Sequence, residues 1–84
     1  MLHIKVLGSG CPNCKRLEAE VRAALDGGAV AYDLVKVTDY ADIAAYGVMS
    51  TPALVIEEQV VSSGRIPKRD QIVAWVRQYE GNAL

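Results

Sequence analysis

The sequence predicts an α/β domain in which a four-stranded mixed sheet carries helices on both faces, in the order β-α-β-α-β-β-α. Short runs rich in Val, Ile and Leu alternate with segments of helical periodicity. A strand, a helix and a second strand come first, which implies a parallel pair joined by a right-handed crossover. Two short apolar runs then lie close enough for a hairpin, ahead of a last amphipathic segment. The chain has 84 residues, so residues 1–84 are expected to form one domain. A chain of this size buries about 60–65% of the surface its unfolded form exposes, enough for one core.

Leu2 to Leu7 is an apolar run that reads as a buried strand, broken by Gly8-Ser9-Gly10. From Pro12 to Leu25, the residues Cys14, Leu17, Val21, Ala24 and Leu25 recur at helical spacing, and Lys15, Glu18, Glu20 and Arg22 fall largely off that stripe. Pro12 suits a first helical turn, where its missing N–H costs nothing. Gly27-Gly28 ends the helix and turns the chain. Ala31 to Val37 is the second strand. Asp39 or Thr38 caps a short helix that runs through Tyr46 and stops at Gly47. Ala53 to Ile56 and Gln59 to Ser62 are the hairpin strands. Their connection, Glu57-Glu58, is poor chemistry for a two-residue turn, which favours Gly or Asn at positive φ. After Gly64, a helix from Lys68 to Tyr79 buries Ile72, Trp75, Val76 and Tyr79, and Gly81 ends it.

Composition excludes several functions. Hydrophobic residues make up 51% and charged residues 23%, ordinary globular proportions that disfavour disorder. The net charge is −1, with Lys15, Arg16 and Lys36 interspersed with acids, so nothing attracts a nucleic-acid backbone. No apolar run approaches the roughly 18 residues of a membrane span. Met1 to Leu7 has Lys5 in its middle and does not read as a signal peptide. A cytoplasmic monomer is expected.

The two cysteines, Cys11 and Cys14, form one C-x-x-C. A bridge across so short a loop stabilises little by constraining the unfolded chain, so the pair reads as chemistry. Cys-Pro-Asn-Cys falls where a strand-end loop becomes a helix. The unpaired N–H groups and positive dipole end of a helix favour an anion there. Such sites bring a thiol from about 8.5 down to roughly 3.5–7.5, and the thiolate is the attacking species in disulfide exchange. Cys11 precedes the first turn and is expected to be the exposed nucleophile, in a loop with Gly10, Pro12 and Asn13. Cys14, on the apolar stripe, is expected to be more buried and to resolve. No cofactor is expected: G-S-G-C-P-N-C is too short for a dinucleotide fingerprint. A structural zinc site needs four ligands, and one chain offers two cysteines and the distant His3. A metal shared by two chains, or linear Cu(I) on two thiolates, stays open.

Cys11-Pro12-Asn13-Cys14, followed by Tyr46-Gly47-Val48 and Thr51-Pro52-Ala53-Leu54, resembles the thioredoxin/glutaredoxin superfamily, and more narrowly its small prokaryotic redox-active disulfide proteins. The resemblance spans nearly the whole chain. It implies a minimal thioredoxin-like fold and a dithiol–disulfide oxidoreductase. It implies disulfide-containing protein clients, and a thioredoxin-reductase-like flavoprotein or a small thiol as reductant. It also implies a cis Thr51-Pro52 bond against the disulfide, with Thr51 and Pro52 bordering the substrate groove. Two features depart from the family. Ser9 and Gly10 stand where a Trp precedes the first cysteine, and Lys5 stands near the place of the buried acid of larger thioredoxins. Lys5 is expected at a strand edge with its amine in water, His3 at the surface, Trp75 and Tyr79 in the core, and Tyr40 and Tyr46 in packing, with the border of the active-site groove as the alternative for the two tyrosines. A soft-metal carrier is the alternative, since heavy-metal-associated domains also place C-x-x-C between a first strand and a first helix. Those domains run β-α-β-β-α-β and carry a Met where this chain has Ser9.

Overall fold

The computed structural model describes residues 2–8, 12–26 and 31–82, the last three by backbone alone. The Gly27-Gly28 turn and the loop holding Ser9, Gly10 and Cys11 lie outside the described residues. The elements run β1 (Leu2–Leu7), α1 (Pro12–Asp26), β2 (Tyr32–Val37), α2 (Tyr40–Ala45), β3 (Ala53–Ile56), β4 (Gln59–Ser63) and α3 (Arg69–Asn82). The strands form one mixed sheet in the order β2-β1-β3-β4. β1 pairs in parallel with β2, Leu2 opposite Tyr32 and Leu7 opposite Val37. On its other side it pairs antiparallel with β3, Ile4 opposite Ile56. β3 pairs antiparallel with β4, and the register shifts between Leu54 and Val55.

The period-2 alternation of β1 decides what each face carries. Leu2, Ile4 and Val6 join Leu54 and Ile56 on one face, under Leu17, Val21 and Leu25 of α1 and Ile72 and Val76 of α3. Leu7, Ala53 and Val55 pack on the opposite face with Ile43 of α2, where Val37, Tyr46 and Val48 complete a smaller cluster. Helices therefore lie on both faces, as the pattern implied. Trp75 and Tyr79 pack half-buried against the larger cluster.

Asp39, rather than Thr38, caps α2, its carboxylate accepting from the N–H groups of Ala41 (2.8 Å) and Asp42 (3.3 Å). Gly47 follows the helix at φ +76°, the left-handed geometry that ends helices and favours glycine.

Three expectations are corrected, and the expected hairpin forms with an unusual turn. Lys5 is on an internal strand, not an edge, because β3 pairs with the side of β1 that β2 leaves open. Tyr40 does not pack but is 84% exposed, and it takes the alternative place, on the border of the groove beside Thr51. Helix α3 starts about where expected but continues through Gly81, its expected end, to Asn82; glycine costs a helix about 1 kcal/mol relative to alanine but does not forbid it. The Glu57-Glu58 turn forms despite its residues. Both adopt left-handed φ values, +50° and +67°, which cost non-glycine residues energy. Anchors to β1 oppose that cost: Glu57 N–H donates to the His3 carbonyl (2.9 Å), and the Glu57 carboxylate accepts from His3 N–H (2.8 Å).

Candidate active site

Pro12 opens α1 and Asn13 follows it, both exposed, which puts Cys14 in the first helical turn. That turn carries no acidic residue, so no carboxylate offsets the positive end of α1 there. Cys14 is disulfide-bonded and 5% exposed. The end of β1 holds it from below. A Cβ on Gly8 would collide with Cys14 Sγ and would lie 3.9 Å from Thr51 Cβ. Glycine at position 8 thus lets the sulfur rest against bare backbone, and it brings the end of β1, the start of α1 and Thr51 together. Sequence reasoning read Gly8 as a strand breaker; only its place one residue beyond the strand, before the cysteine loop, hinted at more.

The Thr51-Pro52 peptide is cis. Pro52 is buried and its carbonyl accepts from Gly64 N–H (2.9 Å), while Thr51 is exposed. Thr51 borders a groove of about 250 Å³ with Tyr40, Ile43, Ala44, Val48 and Met49. Met49 is 99% exposed, and with Tyr40 it gives the groove an apolar rim. Cys14, Pro12 and Asn13 thus gather at one end of the sheet with Thr51. Gly10 and Cys11 lie outside the described residues.

Sequence reasoning missed a polar cluster on the α2 face. Lys5 Nζ donates to Tyr46 Oη (2.6 Å) and to Glu58 Oε1 (2.7 Å), and it lies 5.3 Å from the centre of the Tyr46 ring. The hydrogen bond to Glu58, then that to Tyr46, holds the Lys5 amine above its ordinary range. The hydrogen bond from Lys5 likewise holds the Glu58 carboxyl low, against some opposing desolvation. These residues border a second, open cavity of about 410 Å³ with Val37, Asp42 and Ala45. Lys5 faces away from α1, so it does not take the place of a buried acid beside the cysteines. His3 is exposed, as expected. Among the described residues, no group of three or more His, Cys, Asp or Glu side chains is placed to hold a metal ion. Among them, too, no helix is long and apolar enough to cross a membrane.

A mixed sheet with β1 central, a cysteine in the first turn after it and a buried proline before β3 define the thioredoxin-like class. The thioredoxin-domain family matches residues 2–77. A thioredoxin of Methanocaldococcus jannaschii is 32% identical over 79 residues, covering 94% of this chain and 91% of that protein. A thioredoxin of Methanothermobacter thermautotrophicus is 26% identical over 72 residues, covering 86% and 94% respectively. The chain belongs to the thioredoxin-domain family, and at that level it is a thioredoxin-like redox protein.

Proposed function

We propose that the chain is a cytoplasmic dithiol–disulfide oxidoreductase that works as a single domain through Cys11 and Cys14. The observation that carries the proposal is the setting of Cys14: in the first turn of α1, 5% exposed and against Gly8 and Thr51. A thiol so enclosed is a poor attacker of a foreign disulfide but is well held for an intramolecular one. Cys11 thiolate attacks one sulfur of a client disulfide, and the other client sulfur leaves as thiolate. Cys14 then loses its proton, and its thiolate attacks Cys11 Sγ. The client's remaining sulfur leaves with the bonding pair. The client gains two electrons, and the chain is left with a Cys11–Cys14 disulfide. A thioredoxin-reductase-like flavoprotein or a small thiol restores the dithiol.

The client is an extended, disulfide-bearing peptide, and the groove beside Thr51 suits its apolar side chains. The exposed backbone before β3 offers main-chain pairing of the strand-addition kind. The test is trapping. Cys14→Ser removes the resolving step and keeps Cys11, so covalent adducts with disulfide-bearing protein should accumulate on non-reducing gels after acid quench. Cys11→Ser should trap little. Equal trapping by the two variants would refute the assignment of roles. A Cu(I) carrier would instead lose metal binding equally in both.

A further inference from the structure

A third, smaller cavity of about 50 Å³ lies beside Cys14. Its walls include Gly8 of β1, Cys14, Lys15 and Glu18 of α1, Lys36 of β2, and Thr38. Glu18 stands one helical turn after Cys14, on the same side of α1. Its carboxylate accepts from Lys36 (3.3 Å) through Oε1 and from Arg22 (3.1 Å) through Oε2. The Glu18 side chain is 15% exposed, against 60% for Lys36 and 47% for Arg22. Arg22 does not border the cavity.

We propose that Glu18 and Lys36 act across this cavity as fixed, opposed charges on the Cys14 sulfur, Glu18 holding it as a thiol and Lys36 favouring the thiolate. The inference rests on the resolving role proposed for Cys14. Two observations support a role by charge over uptake of the thiol proton. Burial pushes its carboxyl up, but the hydrogen bonds and charges of Arg22 and Lys36 outweigh burial and keep it below the ordinary carboxylate range. An acid that stays ionised at neutral pH is a poor proton acceptor and a constant negative charge. Glu18 is also the least exposed charge on the cavity wall, so solvent and salt screen it least. Lys15 and Lys36 bring positive charge from α1 and β2, but with their side chains largely in water their pull on the sulfur is weaker. On this reading the poorly screened Glu18 charge outweighs the solvated lysines and keeps Cys14 protonated, leaving Cys11, the residue before Pro12 in the sequence, as the thiolate of the pair. With Lys5 facing the other side of the sheet, Glu18 is the acid this chain sets beside its second cysteine.

The effect on rate follows from the chemistry of exchange. A one-unit fall in the Cys14 pKa raises its thiolate fraction tenfold at neutral pH. The accompanying loss of nucleophilicity takes back part of this, for a net gain of about threefold. In the resolving step, Cys14 gives its proton to water, its thiolate bonds to Cys11 Sγ, and the client sulfur leaves as thiolate. Glu18 is neither consumed nor protonated.

In a Cys11→Ser background the chain has one thiol, and the ultraviolet absorbance of the thiolate against pH titrates Cys14. Glu18→Gln should lower the midpoint by about one unit, the size of one close, poorly screened charge. Lys36→Met should raise it by less. Arg22→Met, which breaks a Glu18 ion pair away from the cavity, should move it least. In the two-cysteine chain, Glu18→Gln should speed the decay of a mixed disulfide on Cys11 about threefold. A purely structural ion pair would lower the melting temperature in these variants and leave the midpoint in place. A midpoint that stays put or rises in Glu18→Gln, or falls in Lys36→Met, overturns the inference. The titration does not use the resolving reaction. A shifted midpoint with failed trapping in Cys14→Ser would defeat the exchange cycle and leave the charge coupling standing. A fixed midpoint with successful trapping would defeat the coupling alone.

Discussion

On one face of the sheet, α1 and α3, of 15 and 14 residues, lie side by side and bury Leu17, Val21, Leu25, Ile72 and Val76 against β1 and β3. On the other, α2 has six residues and covers one end, burying Ile43 against Leu7, Ala53 and Val55. The covered face supplies most of the apolar burial that holds the fold. The open face supplies access: a groove beside Thr51, a polar cavity around Lys5, and exposed Tyr40 and Met49. Cys14 hangs from the thick layer at the end where the thin layer's groove begins. A redox centre so placed is anchored by the rigid side and reached from the open side.

The largest test of this contrast removes one buried side chain from each layer. Leu17→Ala should cost about 3–5 kcal/mol, because Leu17 is fully enclosed between α1, α3 and the sheet. Ile43→Ala should cost about 2 kcal/mol, because a short helix over an open face relaxes into the space. Urea unfolding reads both, and equal losses would break the comparison. Gly8→Ala comes next and sharpens it at the seam. The new methyl would collide with Cys14 Sγ, so strand or sulfur must shift. A loss of about 1–3 kcal/mol is expected, together with slower disulfide exchange. Unfolding and reduction of a model disulfide check the two effects, and normal exchange would show that the sulfur has room after all.

The open face should answer to acid. Glu58 is held by Lys5 below its reference value of 4.5, so folding favours its charged form. The stability it contributes is present above about pH 4.5 and is lost as the pH falls through its folded value. Glu18, also held low, adds to the same acid loss from the covered side. Lys5→Met should remove the Glu58 share, giving a shallower fall in melting temperature between about pH 5 and 3. An unchanged slope would mean that Glu18 and other carboxylates carry it all. The smallest effect belongs to Ser62. Its hydroxyl is buried opposite Leu54, and among the described residues it has no hydrogen-bond partner. Ser62→Ala should leave stability unchanged or raise it by up to about 1 kcal/mol, because a buried, unpaired hydroxyl is a cost. A melting scan suffices, and a fall would reveal a partner.

These contrasts also explain what could be read from the chain. Cys14, Leu17, Val21 and Leu25 recur at helical spacing, and the contiguous Ala53 to Ile56 run matches a strand buried on both faces. Both are local signals that tertiary structure reinforces. For the candidate site, the sequence offered Cys-Pro-Asn-Cys and Thr51-Pro52, because a motif names residues without needing their neighbours, and the structure sets Cys14 near Thr51. Lys5 was misread because an internal strand looks like an edge strand until the strand order is known. Glu57 and Glu58 disobey turn preferences because His3 and Lys5, more than fifty residues earlier, hold them. The nearness of Glu18, Lys36 and Cys14 depends on the parallel β1–β2 register and on how α1 packs, neither of which leaves a mark in local sequence.

The strand order also has a consequence in time. β1 comes before every other strand in the chain, yet it sits inside the sheet. On the ribosome it gains β2 soon after α1 emerges. Its other side stays open until synthesis passes from Val37 to Ala53, roughly one to three seconds at translation rates of about 5–20 residues per second. During that interval the nascent β1 presents unpaired backbone flanked by Ile4 and Val6, a template on which unfinished chains could aggregate. Lys5 lies between those two residues, and before Glu58 is made its amine has no carboxylate from the hairpin turn. A lysine in a bare strand edge is the device by which finished proteins discourage such pairing. In the finished sheet that same amine is held by Glu58 and Tyr46.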